Sequence, residues 1–202
     1  MFRVALPKLI GYCMEKLLID SLQHVSKSLF DKNFFGVFHG SISAKVSETG
    51  FVINKKDIIL DEVEDDSFIG LDSLKRDYRW KHASRDVEIH EHIYEHISSA
   101  KYITFTMPPY TTALSLKHSK IIPQDYYGHK ILGDQVVYDP KSFEDWMSRA
   151  PFEIPRFLQN NNTHLMIIRG FGVIAYDRDL VEMAKSLSIL ESSCRLLSIS
   201  YI

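Results

Sequence analysis

Between Val87 and Met107 the apolar period of the chain changes from four residues to two. Ile89, Ile93 and Ile97 recur every fourth residue, which predicts a helix from about Val87 to Ser99 with one apolar stripe. Soon afterwards, Tyr102 to Met107 alternates as a half-buried strand does, and Pro108-Pro109 stops it because proline cannot donate to a sheet ladder. A helix followed this closely by a strand argues for a fold of mixed class.

The rest of the chain is written in the same two periods. Leu18, Leu22, Val25 and Leu29 have helical spacing and end near Asn33, ahead of Gly36. Ile42, Ala44 and Val46 alternate with polar residues, Glu48-Thr49-Gly50 breaks the run, and Phe51-Val52-Ile53 resumes it, which predicts a β-hairpin. Leu165 to Ile168 reads as a buried strand, Gly170-Phe171-Gly172 as a sharp turn, and Val173 to Tyr176 as the next strand. Asp179 and Glu182 form a capping pair for a last helix with Leu180, Met183, Leu187 and Cys194 on one face. Strands are expected at residues 42–46, 51–54, 102–107, 165–169 and 172–176, in a mixed sheet flanked by helices. A chain of 202 residues with 45% hydrophobic content is long enough to bury one core, so residues 1–202 are expected to form a single α/β domain.

Charge restricts the partners. The formal net charge of -2 offers no field that would draw the molecule onto nucleic acid or an anionic membrane. The acidic run at 61–66 and the basic stretch at 75–82, which holds Tyr78 and Trp80, read as a solvated connection whose charges offset one another rather than as a grip on single strands. Pro7 and Lys8 interrupt the apolar N-terminus, and no stretch reaches the roughly 18 apolar residues that a bilayer span requires. Cys13 and Cys194 lack metal-type spacing and suit a reducing compartment, so a cytoplasmic location is expected.

Nucleophile elbows, glycine-rich phosphate loops and dinucleotide fingerprints are absent from the sequence. Glu88, His92 and His96 share one stripe of the Val87–Ser99 helix and read as a solvated face, although such a stripe can bind a transition metal at the surface. His90 lies on the packed side and reads as a core histidine with its nitrogens satisfied.

Three segments, in their order and spacing, resemble the class II aldolase/adducin family over about residues 12–196. They are Gly40-Ser41-Ile42-Ser43, Ile89 to Tyr94 leading into Pro109 to Ser115, and Ile167-Ile168-Arg169-Gly170-Phe171-Gly172. The resemblance implies a three-layer fold with a mainly antiparallel sheet, and a symmetric homo-oligomer, commonly a tetramer. It also implies a divalent metal, commonly zinc, held by a His-x-His pair on a strand and by a third histidine in a turn. The matched positions here are Phe105, Met107 and Phe171, so no metal and no other cofactor is expected. Phenylalanine has no lone pair to offer, and a thioether suits copper(I) rather than zinc. The catalytic carboxylate of the family matches Asp86, one methylene shorter than the usual glutamate, after Ser84. The phosphate-gripping segment matches Asn54 to Asp57, where Lys55 and Lys56 either hold an anion as point charges or are simply solvated. Ser41 and Ser43 complete the expected ligand-binding set.

Two functions follow from this resemblance. One is a noncatalytic ligand-binding or assembly module, for which the adducin branch is a precedent. The other is a divergent aldolase or epimerase acting on a small phosphorylated, sugar-like substrate through Asp86 and the lysines.

Overall fold

The computed structural model describes residues 6–37 and 39–200, with side chains from residue 16 onward. The side chain of Cys13 therefore lies outside the described residues, while Cys194 is free and buried. Its strands are β1 (Ser41–Lys45), β2 (Gly50–Asn54), β3 (Phe68–Asp72), β4 (Tyr102–Thr106), β5 (Lys120–Ile121), β6 (Gln135–Tyr138), β7 (Leu165–Ile168) and β8 (Gly172–Asp177). The helices are α1 (Leu6–Asp31), α2 (Val87–His96), α3 (Pro109–Lys117), α4 (Trp146–Asn160) and α5 (Leu180–Ser200). None of the described helices is long and apolar enough to cross a membrane.

The strands form one eight-stranded sheet in the order β3-β2-β1-β4-β8-β7-β6-β5. Six of the pairings are antiparallel, and only β6 with β7 is parallel. Side chains alternate between the two faces of each strand, and this alternation builds the layers. Ile42 and Ala44 of β1, Val52 of β2 and Val173 and Ala175 of β8 pack with Leu22 and Leu29 of α1 and Leu187 and Leu190 of α5. Their neighbours Ile53, Ile103, Ile174 and Tyr176 pack with Ile89 and Ile93 of α2 and Trp146, Ile154 and Leu158 of α4 on the other face. Each fully buried isoleucine here contributes about 1.5–3 kcal/mol by leaving water.

All five expected strands are present, with ends within one residue of the expectation. α1 begins at Leu6 rather than near Leu18, since Pro7 sits in the first turn, where a missing N–H costs nothing. α2 stops at His96 instead of Ser99 because Ile97 has extended backbone, φ -119° and ψ 94°. The periodicity gave no sign of α4, which carries Pro151 and Pro155 within it, or of β5, which is only two residues long.

The Pro108-Pro109 pair that ends β4 also begins α3. Pro109 has no N–H, and the next two backbone donors, Tyr110 N and Thr111 N, each reach a carboxylate oxygen of Glu191 on α5 at 2.9 Å. The Thr111 hydroxyl donates to the same carboxylate at 2.8 Å. One buried acid thus satisfies the open end of α3 and complements its dipole. Glu191→Ala is expected to cost about 2–3 kcal/mol, as loss of charge-assisted bonds does, and Glu191→Gln less. Chemical denaturation of the three proteins checks this ranking.

Candidate ligand site

Ser41 and Ser43 point to the α2 side of β1, onto a face that is otherwise apolar, and both are fully buried. They are partnered by Asp86, His90 and Tyr94, which stand four residues apart along one side of α2 and its N-terminal cap. Ser41 donates to Asp86 Oδ2 at 2.9 Å and lies 2.8 Å from His90 Nε2. Ser43 lies 2.6 Å from His90 Nδ1 and 2.7 Å from the Tyr94 hydroxyl. Each hydroxyl has a single proton, so with Ser41 donating to Asp86 the remaining donors run one way. Tyr94 donates to Ser43, Ser43 to His90 Nδ1, and His90 Nε2–H to Ser41. Protonation of Asp86 would reverse the chain and exchange the His90 tautomer, with the Tyr94 hydroxyl turning to the Lys101 carbonyl 3.4 Å away.

Burial sets the proton affinities of this array. It pushes the Asp86 carboxyl up, opposed by the bond from Ser41 and by the charges of Arg85 and His39. It pushes His90 down to about 3 and Tyr94 up, because neither charged form is solvated there.

Asp86 stands at the edge of a cleft of about 440 Å³. The segments 54–57 and 83–86 run side by side along it, joined by a bridge from Lys55 to Ala83 and by a bond from Ser84 N to the Asn54 carbonyl at 2.9 Å. They bring Lys55, Lys56, Ser84 and Arg85 to the cleft together. Arg85 pairs with Asp57 at 3.0 Å, whereas neither Lys55 nor Lys56 forms an ion pair among the described residues. The cleft also holds Phe105 and Met107 from the end of β4, Met147 from α4, and Phe171. Phe171 is set by the β7–β8 turn, where Gly172 has φ +140° and a Cβ would come within 2.3 Å of the Thr106 carbonyl oxygen.

Of the residues expected from sequence, Asp86, Ser84, Lys55 and Lys56 therefore line one cleft, and Ser41 and Ser43 lie behind it in the buried array. His39, Arg85 and Met147 also line the cleft and were not expected there. The place of His90 and Tyr94 was legible from the spacing 86, 90, 94, which puts them on one helical face. Phe105 and Phe171 stack with ring centroids 4.8 Å apart and planes 28° from parallel. These rings and Met107 offer no nitrogen or oxygen donor, so the three positions do not fit the zinc that the resemblance implies.

Elsewhere, His92, Glu95 and His96 bring ligand atoms within 4.8 Å of one another on the outer stripe of α2, while Glu88 turns to Arg76 at 3.5 Å. The basic stretch is engaged internally: Arg76 lies over the Trp80 ring at 4.6 Å and pairs with Glu91, and Arg79 pairs with Asp77.

The family model described as the class II aldolase and adducin N-terminal domain matches residues 20–198. The chain belongs to that family. Among solved structures, the L-fuculose-1-phosphate aldolase of Thermus thermophilus is similar to it with a TM-score of 0.80 and 20% identity, over 91% of this chain and 94% of the other. YgbL of Escherichia coli matches with a TM-score of 0.75 and 16% identity, over 92% and 90% of the two chains. The L-fuculose 1-phosphate aldolase of Glaciozyma antarctica gives 0.72 and 15%, over 94% and 75%. At these identities the likeness establishes the class II aldolase fold. No curated protein matches the chain by sequence.

The depressed affinity of His90 has a measurable consequence in this member of the family. Its folded value lies below the unfolded one, so between pH 6.5 and about 3 the unfolded chain binds a proton that the native state refuses. The contribution is present above pH 6.5 and lost as pH falls. Asp86, raised by burial, acts in the opposite sense, since its stabilising protonated form is lost as pH rises through its folded value. His90→Gln keeps a donor and an acceptor without the titration, so its thermal midpoint should fall less than that of the wild type between pH 6.5 and 4. Scanning calorimetry across that range makes the comparison.

Proposed function

We propose that this chain is a noncatalytic, metal-independent member of the class II aldolase family that binds a small anionic ligand in the cleft beside Asp86. One observation carries the reading: Phe105 and Phe171 stack where the resemblance matches metal ligands, while Lys55 and Lys56 reach the same cleft without carboxylate partners among the described residues. Retro-aldol cleavage of the kind that the relatives' names imply develops an enediolate, and a Lewis-acid metal lowers that barrier by several kcal/mol. Each 1.36 kcal/mol forfeited costs tenfold in rate. Asp86 supplies general acid–base help of about 10²- to 10⁴-fold at most, and its own negative charge cannot stabilise a developing anion. The lysines hold a phosphate or carboxylate as point charges, an attraction that salt screens.

Titration calorimetry with inorganic phosphate should show weak binding that fades as salt rises and is lost in Lys55→Ala/Lys56→Ala. Equal affinity in the two proteins would end the anion reading. Incubation with L-fuculose 1-phosphate and added divalent metal should yield no aldehyde product. Cleavage that Asp86→Asn abolishes would restore the alternative, a divergent aldolase.

The family resemblance also supports a homo-oligomer, with a tetramer as the expected number. Light scattering at micromolar concentration should give a multiple of the 23.4 kDa chain, and the single-chain mass would count against assembly.

A further inference from the structure

We infer that the ligand of this cleft is an amphipathic anion, with a phosphate or carboxylate at one end and an apolar, preferably aromatic, body at the other, rather than a polyhydroxylated sugar phosphate. The inference rests on the anion reading above and adds the chemistry of the rest of the ligand.

The cationic and the aromatic side chains of the cleft come from different strands, and Asp57, Ile58 and Leu60, which follow the lysines, line it as well. The cationic residues Lys55, Lys56 and Arg85 belong to the paired segments that continue from the end of β2. Phe105 and Met107 belong to the end of β4 and its exit, and Phe171 to the turn entering β8. In the strand order β2-β1-β4-β8, β1 lies between these two groups, so the strands that carry the lysines and Phe105 are about 10 Å apart, two strand spacings. Gly40, which leads into β1, also lines the cleft and contributes no side chain between them. That distance suits an anionic group joined to one ring.

The apolar end is specific in composition. Phe105 is only 5% exposed and stacks on Phe171, and Phe171 stacks in turn on Phe143 at 6.5 Å with planes 24° from parallel. Phe143 is 57% exposed and Met147 is 44% exposed, so the series of near-parallel rings leads from the core to the surface. Thioethers and ring faces accept a flat apolar group with little reorganisation. They leave sugar hydroxyls stripped of water without new partners, which costs affinity. The polar residues His39, Asn54 and Ser84 belong to the cationic segments and the entry to β1, while Asp86, bonded to Ser41 opposite Phe105, stands between the two ends.

The test compares inorganic phosphate, phenyl phosphate and glucose 1-phosphate by titration calorimetry on the full chain. Phenyl phosphate should bind about tenfold or more tightly than phosphate, since one ring leaves water. Glucose 1-phosphate should gain nothing over phosphate. Met147→Ala, at an exposed position where folding is not at stake, should lower the ratio of phenyl phosphate to phosphate affinity, and Phe171→Ala should lower it further. Equal affinities for phosphate and phenyl phosphate would overturn the inference while the anion site stands. Tighter binding of glucose 1-phosphate than of phenyl phosphate would also overturn it. If neither phosphate nor phenyl phosphate binds, the anion reading itself fails and takes this inference with it.

Discussion

Five polar side chains between β1 and α2 satisfy one another, because burial takes them out of bulk water. Ser41, Ser43, Asp86, His90 and Tyr94 do so in a single row of bonds no longer than 2.9 Å. An unpartnered member would cost about 1–3 kcal/mol, so the array tolerates few displacements of helix against strand. It fixes the register of α2 on the sheet, whereas the isoleucine stripe of the same helix supplies most of the attraction without specifying position. Asp86, at the start of the row, is thereby held at the cleft edge in a place that general hydrophobic packing would not determine.

The cleft is a second consequence of that placement. Asp86 follows Arg85 and Ser84 on a segment tied by backbone bonds to residues 54–56, so fixing α2 also brings the lysines beside it. The exit of β2, the end of β4 and the β7–β8 turn then meet there with the segment that precedes α2. Phe105, Met107 and Phe171, the positions that the sequence resemblance matches to metal-binding imidazoles, form an apolar group in which Phe105 and Phe171 stack. Two stacked rings gain about 0.5–1.5 kcal/mol beyond their burial, and they need neither a charge nor a coordinating partner. On the proposed reading the same residues leave no group to stabilise a developing negative charge, so that a gain for the fold and a loss for aldol chemistry would have one cause.

Much of this was visible in the order of residues. Period two placed β1 and β4, and short apolar runs bounded by breaking residues placed β2, β7 and β8, to within one residue, because strands covered on both faces are apolar throughout. The triplet Phe105, Met107 and Phe171 was legible as donor-free side chains at matched positions, since ligand chemistry is a property of residue type. Elements whose local signals conflict with their final state were not legible. α4 forms despite Pro151 and Pro155, α3 begins at two prolines that read only as a stop, and the two-residue β5 carries no period at all.

The sequence by itself determined which groups this protein can use: carboxylate, hydroxyl and ammonium at the matched positions, and no imidazole at the three positions that the resemblance matches to metal ligands. Only the tertiary structure decided that Ser41 and Ser43 are partners of His90 instead of the cleft lining, and that Lys55, Arg85 and Phe171 open onto one space. The physical reason is that periodicity records how each segment faces a core, a local property. Which segments meet depends on pairings such as β1 with β4 and the Lys55–Ala83 bridge, which join residues far apart in the chain.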